Sequence, residues 1–390
     1  MLPHDRSGGR TGTGRMRIGI DGRESLGRPT GVGRYLANLC GEWTGSPSYA
    51  GHELLVYTPR DAPPATYESA STAAGARLTG VTVPGGGGLW WEQTALARRA
   101  AADRLDVFFG PGYSVPLALA IPSVVTLHDV SFLAHPEWFG WREGPRRRWL
   151  AARAASAART VVAVSEFSRR EILTYLNPAP TRVRVVHNGV TALARTERRP
   201  ADTPDAGAAP LILHVGALFT RRRLPVLIAA FERVVREVPR AELAIVGPDR
   251  TRPPEDLRGM AEASGVASRV AFLSYVADAE LAALYRRAAV FAWLSEYEGF
   301  GLTPLEALAA GVPVVAADTP VAREVYGEAA RRVPADDPGA VAAAIVELLT
   351  RRGLRETLLE QARPVLARYT WARAAADTFT ILQEAAASRS

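Results

Sequence analysis

Short apolar runs alternate with longer amphipathic stretches from Met16 onward. The first series is MRIGID (16–21), ELLVYT (53–58), LDVFFG (105–110), SVVTLH (123–128), TVVAVS (160–165) and VRVVHN (183–188). A second series is LILHVG (211–216), ELAIVG (242–247), RVAFLS (269–274), VFAWLS (290–295) and PVVAA (313–317). These runs are near-continuous in Val, Ile and Leu, as expected of strands buried on both faces of a parallel sheet. Between them lie stretches such as LIAAFERVVREV (227–238), whose apolar residues recur at helical spacing. Alternating β and α predicts open α/β sheets with helices on both faces.

A Pro-, Ala- and charge-rich break at 194–209 separates the two series and predicts an interdomain linker. The expected organisation is two Rossmann-like, doubly wound domains, 16–200 and 209–368, facing each other across a cleft. Ligands bind such sheets at the carboxyl ends of their strands. Residues 1–15 are rich in Gly, Arg and Thr and lack periodicity, so a disordered tail is expected there, or a start upstream of the true beginning at Met16. The stretches 61–75 and 84–88 read as loops.

Hydrophobic residues make up 47% of the 390 and charged residues 22%, the balance of a soluble globular protein. No apolar run approaches the roughly 20 residues that cross a bilayer. No secretory apolar segment follows the start, so the expected location is cytoplasmic. Cys40 is the only cysteine, which excludes an internal disulfide. All 47 basic residues are arginine, and the net charge is +7. The first 205 residues hold 25 arginines against 18 acidic residues, and the remainder holds 22 of each. The excess charge therefore belongs to the first half. It suits an anionic partner there, such as a membrane surface or a phosphate-bearing acceptor, or reflects drift toward arginine alone. A pI of about 9.9 also suggests a nucleic-acid binder, which the balanced second half argues against.

The densest chemistry is SEYEGFGLTPLEALAAG, residues 295–311. A strand ends near Ser295, a Gly-Phe-Gly loop follows, and a helix is expected from Thr303 with Pro304 in its first turn and Glu306 at the third position. Backbone N–H groups of the loop and the positive helix end suit a diphosphate. Gly299 and Gly301 allow close backbone approach. Glu298 and Glu306 can accept hydrogen bonds from sugar or ribose hydroxyls. Thr303-x-x-Glu306 is also a capping box, which stabilises helices without any ligand. Arg221, Arg222 and Arg223 stand at another helix start, where they oppose the helix dipole and so favour an anionic ligand. His128 follows the strand SVVTL directly, at the cleft end of that strand. Gly31 and Gly33 in TGVGRY form only part of a dinucleotide fingerprint, because position 36 is Leu.

The Glu-x7-Glu spacing within EGFGLTPLEA resembles the signature of the retaining glycosyltransferase family 4, which has the GT-B fold. The likeness extends over most of residues 16–385. It implies that Glu298 contacts the transferred sugar and Glu306 the donor ribose, with the backbone of Gly299, Phe300, Gly301 and Leu302 near the sugar and phosphates. LHVGALFTRRRLPVLIAAF (213–231) resembles the family's strand, glycine and basic pair. Gly216, Arg221 and Arg222 then serve the diphosphate, with Arg222 in the place of a usual lysine. Tyr275 and Val276 fall on the loop that holds the base. His128 inherits a contact to the transferred sugar, and Asp129 either orients its imidazole or binds acceptor. Gly31 and Gly33 line the cleft floor. Residues 369–390 resemble the family's terminal helix, which crosses back to the first domain.

The implied activity is transfer of a hexose from a nucleotide diphosphate-sugar to a hydroxyl of a glycan or lipid-linked acceptor. Likeness of the first half to bacterial mannosyltransferases of polysaccharide assembly puts GDP-mannose first and UDP-sugars second. No Asp-x-Asp and no His/Cys cluster of ligand spacing occurs, so neither a metal nor a cofactor beyond the co-substrate is expected. WWEQ (90–93) could stack on a sugar, dip into headgroups or belong to the core. The basic stretch 140–160 suits either a solvated face or peripheral contact with an anionic membrane. The rivals are a glycoside hydrolase, which needs two carboxylates flanking one bond, a dehydrogenase, and a non-catalytic nucleotide or nucleic-acid binder.

Overall fold

The computed structural model describes residues 14–27, 31–60, 74–191 and 209–388. The tail expected at 1–15 lies outside these residues except for its last two, as do residues 61–73 and all but the end of the expected linker.

Two parallel sheets form. The first holds β1 (Arg17–Asp21), β2 (Glu53–Thr58), β3 (Arg77–Thr82), β4 (Val107–Gly110), β5 (Ser123–Leu127), β6 (Thr160–Ala163) and β7 (Val183–Val185). The second holds β8 (Leu211–Val215), β9 (Glu242–Val246), β10 (Val270–Leu273), β11 (Ala288–Trp293), β12 (Val314–Ala317) and β13 (Ala330–Val333). The orders are β3-β2-β1-β4-β5-β6-β7 and β10-β9-β8-β11-β12-β13. Each sheet thus reverses its winding direction once, beside β1 and beside β8, and a crevice opens at such a switch point.

Every expected strand is present, trimmed by one to three residues at one or both ends in most cases. The two unexpected strands, β3 and β13, are sheet edges. An edge strand has one neighbour and needs less apolar character. RLTGVT is largely solvent-facing, and Arg331 and Arg332 of β13 reach outward to Glu347 and Glu328.

The helix Trp371–Ala387 packs against the helix Val32–Gly45 of the first lobe. Trp43 Nε1 donates to the Ala375 carbonyl at 3.0 Å, and Phe379 packs on the rings of Trp43 and Tyr49. The last helix therefore completes the first lobe's core.

Candidate active site

The loop after β11 runs directly into the helix Leu302–Ala309. This helix starts two residues earlier than expected, with Gly301 at φ +84° as its N-cap in place of Thr303. No side chain caps it, so Thr303 and Glu306 form no capping box. The reason is local. Gly301 takes a left-handed conformation that suits glycine, and the Tyr326 hydroxyl donates to its carbonyl at 2.9 Å. A side chain at Gly301 would overlap that hydroxyl. The helix mouth keeps its first N–H groups without a side-chain acceptor.

Glu306, released from capping, is buried and meets Arg34 Nη2 at 2.5 Å. Burial raises the Glu306 pKa, and the Arg34 charge opposes the rise. Arg34 belongs to the first lobe, so this ion pair joins the two lobes. Sequence reasoning did not single out Arg34. Its position one residue beyond Gly33 was the available signal.

Glu298 accepts from Ser295 Oγ at 2.6 Å and stands 3.1 Å from Arg222 Nη1 and 3.9 Å from Arg221 Nε. The Arg222 guanidinium lies 3.7 Å from the centroid of the Trp293 ring, a cation–π arrangement. Gly216, at φ +142°, leaves that ring uncrowded. Burial lowers the Arg222 pKa to about 10, against the stabilising charge of Glu298. His214 also stacks on Trp293. Burial and the Arg222 charge push His214 down to about 3, so it stays neutral. Arg222 Nε and Arg221 Nε are buried with no hydrogen-bond acceptor among the described residues, and the buried Arg222 Nη1 has the ion pair to Glu298 but no hydrogen bond. Arg223 does other work: it pairs with Glu296 at 2.5 Å and starts the helix Leu224–Glu237.

Tyr275 is 60% exposed, whereas the Val276 side chain is buried in the second lobe's core.

His128 leaves the end of β5 with Nε2 2.8 Å from the Pro111 carbonyl. That carbonyl fixes the proton on Nε2 and leaves Nδ1 as an acceptor. Burial pushes the His128 pKa down, so the imidazole is neutral at pH 7. Asp129 does not touch the imidazole. Its Oδ1 accepts from Ser131 N–H and O–H at 3.0 and 2.8 Å, and its Oδ2 from the Tyr113 hydroxyl at 3.4 Å. Of the two roles open to Asp129, orienting the ring thus passes to Pro111. Gly31 caps the helix Val32–Gly45 at φ +41°, and Gly33 is buried in its first turn.

Gly299 brings the lobes together. Its carbonyl accepts from Ser165 Oγ at 2.6 Å and Ser168 Oγ at 3.0 Å, both in the first lobe. A Cβ on Gly299 would overlap the His128 carbonyl oxygen. The loop that carries Glu298, paired with Arg222, therefore meets the His128 backbone where the two lobes touch. The WWEQ segment divides. Trp91 is core and donates Nε1–H to the Val83 carbonyl at 2.7 Å, and Glu92 is buried 2.8 Å from Arg23. Gln93 pins the loop at Val115 and Leu117, while Trp90 is 83% exposed.

Residues 29–192 match the description Glycosyltransferase Family 4, and residues 196–365 match Glycosyl transferases group 1. O-antigen chain mannosyltransferase B of Escherichia coli is 27% identical over 70% of this chain and 72% of its own. The GDP-mannose-dependent alpha-(1-6)-phosphatidylinositol monomannoside mannosyltransferase of Mycobacterium tuberculosis is 29% identical over 93% of this chain and 97% of its own. Among solved structures, Anabaena HepE in complex with UDP and glucose superposes with a TM-score of 0.70 at 20% identity, covering 94% of this chain and 100% of that one. Sucrose-phosphate synthase from Thermosynechococcus elongatus superposes with a TM-score of 0.73 at 18% identity, covering 96% and 100%. Both lobes are accounted for by these descriptions, and the whole architecture recurs in the solved structures: the chain belongs to the glycosyltransferases, with a family 4 first lobe and a group 1 second lobe on the GT-B fold.

Proposed function

We propose that the enzyme transfers mannose from GDP-mannose, with retention of configuration, to a hydroxyl of a glycan or lipid-linked glycan. The observation that carries the donor assignment is the pair of buried Nε donors on Arg221 and Arg222 that make no hydrogen bond, beside an Arg222 Nη1 that meets the Glu298 carboxylate at 3.1 Å. Leaving such donors unpaired costs about 1–3 kcal/mol each, more for charged groups, and a diphosphate would satisfy them. The free N–H groups at the Phe300–Leu302 helix mouth point to the same ligand. Glu306 then takes the ribose, displacing Arg34, and Glu298 and His128 fix the sugar. The relatives named as mannosyltransferases support mannose. A UDP-sugar is the second reading, because the Val276 side chain is buried in the core and cannot discriminate between bases.

In the reaction the acceptor oxygen bonds to the anomeric carbon as the bond to the diphosphate breaks, on the same face. The acceptor's proton passes to the departing phosphate oxygen. Arg221, Arg222 and the helix mouth stabilise the leaving charge, and the scheme requires no metal. Glu298→Gln and His128→Ala should each lower kcat about 100-fold with little change in donor KM, and EDTA should leave the wild-type rate intact. Wild-type kcat in both variants, or activity lost to EDTA and restored by Mg²⁺, would refute the scheme. The anomeric configuration of the product, read by NMR, tests retention.

The proposal includes peripheral contact with an anionic membrane. Trp90, Trp141 and Trp149 are all exposed, and all belong to the arginine-rich first half. Among the described residues no helix is long and apolar enough to cross a membrane. The protein should sediment with phosphatidylglycerol vesicles and not with pure phosphatidylcholine. Equal behaviour with both would remove the membrane from the proposal.

A further inference from the structure

Beside the crevice lies a cavity of about 740 Å³ walled by both lobes. It opens onto the reacting region: Asp129 follows His128 in the chain, and Arg221, which also lines it, is 3.9 Å from Glu298. Its size suits one or two sugar rings. Phe132, Trp138, Phe139 and Phe219 line it and supply apolar ring surface.

The charges in this cavity are unequally satisfied. Asp129 is held by Ser131 and Tyr113. Glu143 pairs with Arg147 at 2.8 Å. Asp249 accepts from the Thr251 N–H and O–H, both at 2.9 Å. Arg250 and Arg252, in contrast, make no ion pair among the described residues. Their backbone is fixed: Arg250 N–H donates to the Leu218 carbonyl at 2.9 Å, and Arg252 N–H to Thr220 Oγ1 at 2.9 Å. Arg252 also reaches toward the first lobe, where its Nη1 would stand 3.2 Å from a Cβ on Gly140. Two exposed guanidinium groups on fixed backbone, with no carboxylate partner among the described residues and beside ring surface, form a receptor for a sugar that carries an oxyanion.

We propose that this cavity is the acceptor subsite and that Arg250 and Arg252 select an acceptor bearing a phosphate or carboxylate on or beside the sugar that receives the hexose. The inference rests on the donor assignment above. It adds a substrate class and two specificity residues.

The test uses the full chain saturated with GDP or UDP, whichever binds, so that anions do not enter the donor site. Methyl α-mannoside, mannose 6-phosphate and methyl glucuronide are titrated calorimetrically. At least one anionic sugar should bind about tenfold or more tightly than the neutral one, the scale of a charge-assisted hydrogen bond, and the pair of titrations separates phosphate from carboxylate. The exposed double variant Arg250→Gln/Arg252→Gln should erase that preference and leave nucleotide affinity unchanged. Equal binding of neutral and anionic sugars, binding of none, or a preference that survives the double variant overturns the proposal. Failure of wild-type protein to bind either nucleotide would instead sink the donor assignment.

Discussion

Arg222→Met lowers kcat/KM for the nucleotide sugar about 10²–10³-fold, the scale of losing a preorganised group at developing charge, while the protein stays folded. Methionine is unbranched and fills irregular space, so it can occupy the place over Trp293 where the guanidinium now lies at 3.7 Å. What disappears is the charge and the pair of buried donors. Glu298 keeps Ser295 Oγ at 2.6 Å and Arg221 at 3.9 Å, so its carboxylate is not stranded. His214 stays neutral at pH 7 without the Arg222 charge, because burial is the larger cause of its lowered pKa. Arg222→Lys retains charge but gives up the planar stacking and the forked donors. It should lose less, about tenfold. Steady-state kinetics with a thermal melt check both variants. A methionine variant with wild-type kcat/KM would show that the diphosphate is held elsewhere.

Gly299→Ala should lower kcat about 100-fold, as expected when reacting groups shift by about an ångström. The added methyl would overlap the His128 carbonyl oxygen. That obstacle is main chain, so no rotamer change relieves it. The lobes must part instead, and the bonds from Ser165 and Ser168 to the Gly299 carbonyl weaken with them. Gly299 does not lie among the positive-φ glycines, so alanine is tolerated by the local backbone and each lobe keeps its own core. Small-angle scattering should therefore report a larger radius with unchanged helix content by circular dichroism. Wild-type turnover together with a wild-type radius would show that this contact does not govern closure.

Much of this architecture was legible in the residue pattern because buried parallel strands leave an unambiguous apolar signature. Ile18, Ile20, Leu213 and Val314 are all fully buried, and each falls in an expected strand. The edges were not legible, since most of β3 is at least partly open to water and β13 carries two arginines between its buried ends. The second lobe's chemistry was compact in sequence: Glu298 through Glu306 spans one loop and one helical turn. The contacts between lobes were harder to foresee. Arg34 and Glu306 are separated by 272 positions, and nothing local in either segment announces the pairing. The capping box failed for a related reason: Glu306 found a full charge across the cleft, and Gly301 with Tyr326 set the helix start instead. The Pro111 carbonyl on His128 likewise comes from a neighbouring strand end, a backbone partner that side-chain reasoning does not consider.

The helix Trp371–Ala387 has a bearing on how the chain matures during synthesis. The hydrophobic surface around Leu39, Trp43 and Phe109 is sealed only when this helix arrives. It is translated after the entire second lobe. The half made first is therefore the half finished last, because the residues that cover this face come at the far end of the chain.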